Sequence, residues 1–562
     1  MSWEEDAPAL LPRPLRLRRG TGAAARFADG MTIAHDPSFR AVARWFRREL
    51  EAAGGWDVHT TEVAGEETGA VLELRRAAVA CAAEAPERAA GEAYELVVSG
   101  GRVVVTAAEP AGAFYGLQTL RQLLPADAYR TAPPGGRAGE MLLEPVEIED
   151  APRFSWRGVH LDVCRHFMPK GFVMKLVDLA AMHKCNVVHL HLTEDQGWRV
   201  PVAKYPRLIE VGAWRRESPV GHRDDGVFDA TPHGGFYSRE DLKEIVAFAA
   251  ERHVTVLPEV DMPGHMVAAI AAYPELGNTD EPVEVLTEWG ISDHVLNLEE
   301  STIQFCCDVI DEVAELFPGS YFHVGGDECP TKEWEASPRA AALMAEHNLT
   351  SERELQGWFT ARIAEHLERR GRMLVGWDEI LEGGAPPGAL VMSWRGEQGG
   401  IEAAAAGHDV VMCPQEWLYL DWAYADDPAE PVAIRPATSV ERVWGYEPVP
   451  DAIPPDRRHH VLGTQCQLWT EYVPTPERAE YQYFPRLSAF AEMAWSRRSG
   501  AGFPEFERRL RVHLTRLSAL GVNYRPLEGP TPGQARTWTG PRMEHLASPL
   551  EPAGEAPSPG RP

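Results

Sequence analysis

Tyr321-Phe-His-Val-Gly-Gly-Asp327-Glu328 joins a short apolar run to two glycines and a pair of adjacent carboxylates. Aromatic and β-branched residues favour a strand at its start. The glycines then allow a sharp turn, or a close approach of backbone to ligand. Acids just past a strand end stand where α/β barrels keep their chemistry. On this reading Glu328 is a candidate general acid and Asp327 its partner. The plain alternative is a solvated acidic turn, and the surrounding chain must decide.

Outward from this stretch the chain alternates strand, loop and helix from Arg157 onward. Gly158-Val-His-Leu-Asp-Val, Asn186-Val-Val-His-Leu-His-Leu-Thr and His253-Val-Thr-Val-Leu-Pro-Glu-Val precede it as strands. Met373-Leu-Val-Gly-Trp377, Leu390-Val-Met-Ser-Trp394, Val410-Val-Met-Cys and Val461-Leu-Gly-Thr-Gln-Cys-Gln-Leu-Trp469 follow it. Helices are expected between them: Gly171 to Lys184, one capped by Ser238, one capped by Ser301, Glu397 to Ala406, and Glu477 to Trp495. About eight strands so spaced predict an α/β fold, a (β/α)₈ TIM barrel, which needs about 250 residues or more. The expected limits are 151–525.

Residues 1–150 read as a smaller α/β (α+β) domain. Arg40 to Leu50 puts Val42, Trp45, Phe46 and Leu50 on one helical face. Tyr94-Glu-Leu-Val-Val-Ser, Gly100-Gly101 and Arg102-Val-Val-Val-Thr predict a hairpin. A second helix is expected from Ala111 to Leu124. Residues 526–562, rich in Pro and Gly, are expected to be disordered.

The chain of 562 residues is 44% hydrophobic, enough for a large core, and its formal net charge of −29 argues against nucleic acid or an anionic membrane as partner. The eight cysteines form no C-x-x-C pair, so neither a zinc site nor a disulfide framework is indicated. With no signal-peptide pattern, a cytoplasmic setting is expected, export by a non-standard route being left open. Oligomeric state is not legible.

A barrel collects its functional groups at the C-terminal ends of the strands. Here those ends carry Arg165, then Asp195, then Asp261 and His265, then Asp327 and Glu328. Next come Trp377 and Asp378, Trp394, the run Trp417-Leu-Tyr419-Leu-Asp421, and finally Trp469 and Glu471. Several indoles and a phenol at one mouth suit the apolar faces of a pyranose, and Arg165, Asp421 and Glu471 can bond its hydroxyls. Glycosidic cleavage needs a proton donor of raised pKa, which an ionised Asp327 beside Glu328 would favour. Sequence neighbours, however, do not easily flank a bond at the roughly 5–5.5 Å of an ordinary retaining pair. Either another acid, such as Asp195 or Glu471, is the nucleophile, or the substrate supplies its own.

The chain resembles glycoside hydrolase family 20, the β-N-acetylhexosaminidases. The likeness rests on Leu161-Asp-Val-Cys-Arg165-His166-Phe, His189-Leu-His-Leu-Thr-Glu-Asp195-Gln-Gly-Trp-Arg, Pro258-Glu-Val-Asp261-Met-Pro-Gly-His265 and His323-Val-Gly-Gly-Asp327-Glu328. It continues through Val375-Gly-Trp377-Asp-Glu, Ser393-Trp394-Arg-Gly and Gln467-Leu-Trp469-Thr-Glu471, covering about residues 90 to 500 in the family's order. The resemblance implies that the substrate's 2-acetamido carbonyl is the nucleophile and that an oxazolinium intermediate forms with net retention. It implies that Asp327 orients the acetamido group and that Glu328 protonates the leaving oxygen and then activates water. Tyr419 would bond the acetamido oxygen, with Asp421 nearby, and Trp377, Trp394 and Trp469 would wall the pocket. Arg165 and Glu471 would hold outer hydroxyls, and Asp195 and His265, counted among the substrate-binding residues, would form the supporting polar network around Glu328, with Asp261 beside them. Terminal β-linked GlcNAc or GalNAc is the implied substrate, with no cofactor and no metal.

Two rivals are weighed against this. His189-x-His191 on a barrel strand resembles the paired histidines of metal-dependent hydrolases, although no later His or Lys completes that pattern. A catalytically silent sugar-binding protein would lack an acid at the fourth strand, where both Asp327 and Glu328 stand.

Overall fold

The structure, a computed structural model, describes residues 7–63, 70–279 and 281–535. The tail expected to be disordered lies outside the described residues from 536 onward.

Among the described residues, the first domain is built on a seven-stranded mixed sheet. Its strands run, edge to edge, Arg16–Arg19, Val146–Asp150, Tyr94–Ser99, Arg102–Ala107, Leu72–Arg76, Thr32–His35 and His59–Glu62. The hairpin closes with Ser99 opposite Arg102, and Gly100 and Gly101 take φ of +58° and +78°, the left-handed pair a two-residue turn demands. Helices Arg40–Gly54 and Pro110–Leu123 supply apolar side chains to its core: Trp45 lies against Phe114 with ring centroids 4.6 Å apart. Burying each such side chain contributes about 1.5–3 kcal/mol.

Eight parallel strands then close a barrel: β1 (Trp156–Asp162), β2 (Val187–His191), β3 (Thr255–Glu259), β4 (Tyr321–His323), β5 (Met373–Trp377), β6 (Leu390–Ser393), β7 (Val410–Met412) and β8 (Val461–Cys466). Strands β1, β2 and β8 are buried along their whole length, so polar residues such as Arg157, His160, His189, His191 and Gln465 are enclosed together with the apolar ones. The barrel interior is layered. Trp156, Val187, Leu257, Leu390 and Leu462 form an apolar cluster inside it. Toward the strand ends the filling turns polar, because the register sets His191, Glu259 and His323 side by side on β2, β3 and β4.

Helix boundaries mostly follow local chemistry. Ser238 caps Arg239–Ala250 in a reciprocal box with Asp241. Ser301 does not cap the helix before β4: that helix spans Glu300–Ala314 and starts after Glu299. Asn297 organises its entry instead, accepting bonds from Thr302 and the Glu299 amide. The helix expected from Glu477 to Trp495 is two, Pro476–Tyr483 and Arg486–Trp495, broken at Pro485, which has no amide hydrogen to continue the ladder.

The two domains are stitched by buried polar contacts. Lys184, wholly enclosed, donates to Asp150 at 2.7 Å and to Tyr94 at 2.9 Å, and Trp495 donates to the same carboxylate at 3.1 Å. Among the described residues no helix is long and apolar enough to cross a membrane.

Candidate active site

The turn after β4 is held from three sides. The Gly325 amide meets His323 Nδ1 at 3.0 Å, the Gly326 amide donates to Asp261 Oδ1 at 3.0 Å, and Gln356 donates to the Gly326 carbonyl at 2.7 Å. Gly325 has φ +62°, and a Cβ there would fall 1.8 Å from Asp261 Oδ1, so only glycine fits. Glu328 itself takes φ +45°, and His265 φ +52°. Left-handed backbone in a non-glycine residue costs about 1–2 kcal/mol. Both strained residues face one another across the same site: His265 Nε2 lies 3.6 Å from Glu328 Oε2 and 3.8 Å from Asp327 Oδ2.

Asp327 and Glu328 line a cavity of about 160 Å³ at the C-terminal mouth of the barrel. Trp377, Trp394, Trp469 and Tyr419 wall it, Trp394 stacking on Tyr419 at 15°. Asp421, Glu471 and Arg165 complete its polar lining. Asp327 Oδ1, Asp421 Oδ2 and Glu471 Oε2 are buried acceptors without a hydrogen-bond partner. Orphaned buried acceptors are costly unless a ligand satisfies them. Three of them among indole faces fit a ring that offers several hydroxyl or amide donors.

Burial, with Asp261 nearby, pushes Asp327 well above the usual carboxylate range although His265 opposes it. Burial does the same to Asp421, with Glu471 adding to it. Burial also raises Glu471, against the pull of Arg165. Burial works against a charge on His265, but Glu194, Asp195 and Glu328 outweigh it and hold the imidazole protonated well above its ordinary value.

Two residues expected to bind substrate do not line the cavity. Asp195 is almost fully enclosed, accepting the Val267 amide at 3.1 Å and lying 3.4 Å from His265 Nδ1. His265 sits behind the two acids, its Nδ1 2.7 Å from Glu194 Oε1. Both are reached only through other side chains, because His265 points its free nitrogen at the acids from behind. The remaining nine expected residues, Arg165, Asp327, Glu328, Trp377, Trp394, Tyr419, Asp421, Trp469 and Glu471, all line the cavity.

The histidines of the metal-hydrolase rival lie inside the barrel, wholly enclosed. His189 takes a contact from Gln465 at 3.0 Å and lies 3.1 Å from Glu259, while His191 is held between Glu194 and Glu259 at 2.9 and 2.6 Å. Ligand atoms of His189, Glu259 and His323 come within 4.8 Å of one another, but these side chains are not part of the cavity lining.

Residues 154–498 match the model for "Glycosyl hydrolase family 20, catalytic domain", and residues 7–151 the model for "Glycosyl hydrolase family 20, domain 2". The chain belongs to glycoside hydrolase family 20.

Relatives of this family-20 chain include a "Beta-hexosaminidase" of Porphyromonas gingivalis, 46% identical over 74% of this chain and 52% of that protein. The chain thus spans about half the length of that relative. Among solved structures it is similar to "GH20 Exo beta-N-Acetylglucosaminidase from Vibrio harveyi in complex with N-acetylglucosamine", at 30% identity and a TM-score of 0.81, over 92% of this chain and 78% of that one. It is also similar to Streptomyces plicatus "N-acetyl-beta-hexosaminidase in complex with Thio-NAglucal", at 31% identity and TM-score 0.77, over 93% and 97%.

Sequence reasoning missed three buried acids of the family-20 site. Glu194 bonds His191, His265 and the Asp195 amide, and its ion pair with Arg165 is 3.0 Å long. Glu259 takes the Trp377 indole N–H at 2.9 Å, and Glu379 takes that of Trp394 at 2.9 Å. Glu194 and Glu379 adjoin Asp195 and Asp378, Glu259 stands two residues before Asp261, and only contacts across the fold reveal their roles. Trp289, Ile291, Arg223 and Tyr472 at the rim were missed too. The first three come from aperiodic loops, whereas Tyr472, next to Glu471, carried a positional signal.

Proposed function

We propose that this family-20 hydrolase releases terminal, non-reducing β-linked GlcNAc or GalNAc by a retaining, substrate-assisted mechanism. The observation that carries the reading is the unpaired, buried Asp327 Oδ1, set beside Glu328 in a cavity walled by Trp377, Trp394 and Trp469. A single sugar enters with its 2-acetamido group among the indoles. Asp327 accepts the amide N–H and orients the carbonyl oxygen toward the anomeric carbon, while Tyr419 donates to that oxygen. Glu328 protonates the departing glycosidic oxygen, and the carbonyl closes on the anomeric carbon as an oxazolinium ion. Deprotonated Glu328 then draws a proton from water, which opens the ring with retention. Two neighbouring acids suffice because the nucleophile belongs to the substrate.

The names of the relatives and the complexes with N-acetylglucosamine and Thio-NAglucal support this substrate class. Asp421 and Glu471 offer the acceptors for sugar hydroxyls and Arg165 a donor, and the compact cavity favours an exo-acting enzyme that takes one residue from a chain end. The test compares an aryl N-acetyl-β-glucosaminide with the corresponding aryl β-glucoside. Hydrolysis of the first alone is expected, and equal rates on both would refute acetamide participation.

A further inference from the structure

Glu259 is wholly buried beneath the cavity and touches none of its open volume, yet its contacts run to both halves of the site. Oε1 accepts the Trp377 indole N–H at 2.9 Å and lies 3.0 Å from His323 Nδ1, the atom that also meets the Gly325 amide. Oε2 lies 2.6 Å from His191 Nδ1. From there His191 Nε2 reaches Glu194 at 2.9 Å, Glu194 reaches His265 at 2.7 Å, and His265 ends 3.6 Å from Glu328.

We infer that Glu259 is a positioning residue for the reaction: one of its oxygens sets the indole wall, the other anchors the His191–Glu194–His265 chain behind the proton donor. This rests on the proposed function and adds the group that couples its two arms. The register makes the coupling possible, because His191, Glu259 and His323 are lateral neighbours on β2, β3 and β4. With a carboxylate at each ring nitrogen, His191 must donate from both and is therefore an imidazolium. Burial opposes that charge, but Glu259 and Glu194 outweigh it and hold His191 protonated well above its ordinary value. The groups facing Glu259 are His160, His189, His191 and His323, those facing His265 are Glu194, Asp195, Asp327 and Glu328, and Asp261 lies near both. Charges alternate along the chain from Glu259 to His265, so neutralising the far end changes the field at Glu328. The same interior is filled with hydrocarbon at Leu257 and Val187, so an acid at 259 is not a requirement of barrel packing as such.

The test uses the full chain with Glu259→Gln, beside Glu328→Gln and Trp377→Phe. In E259Q the amide leaves His191 only one carboxylate. The expected result is a fall of about tenfold or more in kcat/KM on both activated and unactivated leaving groups, with a displaced pH profile. Inhibition by free GlcNAc should change far less than inhibition by a thiazoline-fused analogue of the cyclised intermediate. Trp377→Phe, which cuts only the Oε1 contact, should weaken the thiazoline without moving the pH profile. A folded E259Q enzyme with the wild-type pH profile and an unchanged ratio of the two inhibition constants overturns the inference. Should E259Q not fold, Glu194→Gln severs the same chain one link nearer the cavity, and a wild-type pH profile there overturns it equally. Failure of the parent reading is separate, since it would appear in the wild-type enzyme as equal rates on the glucosaminide and the glucoside.

Discussion

Replacing Glu328 by glutamine removes one titratable proton and almost nothing else. The side chain is about one-fifth exposed, it lies 3.6 Å from His265 with Asp327 beside it, and glutamine preserves both volume and an acceptor toward that imidazole. The strained backbone at φ +45° is unchanged by the swap, so stability should move by less than about 0.5 kcal/mol, as at sites without a cavity or orphaned charge. The chemistry should suffer far more. General acid catalysis contributes about 10²–10⁴ in rate, which is about 3–5 kcal/mol of barrier. A β-linked disaccharide, whose alkoxide cannot leave without a proton, should lose that whole factor. An activated nitrophenolate departs unaided, so its glycoside should lose about tenfold or less in kcat/KM, while the later attack of water, which still needs the base, lowers kcat. Initial rates on the two substrates, with thermal melting as a folding control, give the ratio of losses. Equal losses on both would refute the assignment of Glu328 as proton donor.

Three further outcomes follow from the geometry. Gly325→Ala drives a Cβ into Asp261 and forces left-handed backbone on alanine, so a loss of about 2–4 kcal/mol in denaturant unfolding is expected, and an unchanged midpoint would show that the turn relaxes freely. Lys184→Met leaves Asp150 buried without its counter-ion and should cost about 3–5 kcal/mol while kcat of the folded enzyme at 25 °C stays near wild type, read by melting and by activity. Stability against pH should show two limbs from the His191 cluster. Burial would raise Glu259 and Glu194, but the neighbouring cations hold both well below the usual carboxylate range, so their contribution is whole above about pH 4.3 and is lost as pH falls through those depressed values. His191 is raised, so its contribution is whole below about pH 6.5 and is lost as pH climbs through its elevated value. Melting temperatures of His191→Gln should lack the alkaline limb, and an identical limb in the variant would place its origin elsewhere.

The likeness to family 20 and the barrel were legible because their signals are local. Buried parallel strands are apolar runs, and each strand's last residues are read directly off its end. Ser238 was legible as a cap because Asp241, three residues on, completes the box. Ser301 misled because the same rule ignores Asn297, whose side chain moves the helix start two residues earlier than that cap implied. Pro485 was a visible breaker inside a helical pattern, and its meaning is covalent.

The sequence by itself determined the order of strands, the turn that demands glycine, the adjacency of Asp327 and Glu328, and the set of indoles at the mouth. Each depends on residues within a few positions of one another. Only the tertiary structure decided which acids face the cavity and which stand behind it. Asp195 and Glu471 look alike in the sequence, yet one is enclosed against Val267 and His265 and the other opens an oxygen to the cavity. Glu194 and Glu259 gained their meaning from strand register, which brings together residues 68 and 71 positions apart in the chain and cannot be read from spacing. The sense of a charge shift in a buried site depends on which opposite charge lies within a few ångströms, and closure of the barrel sets that distance.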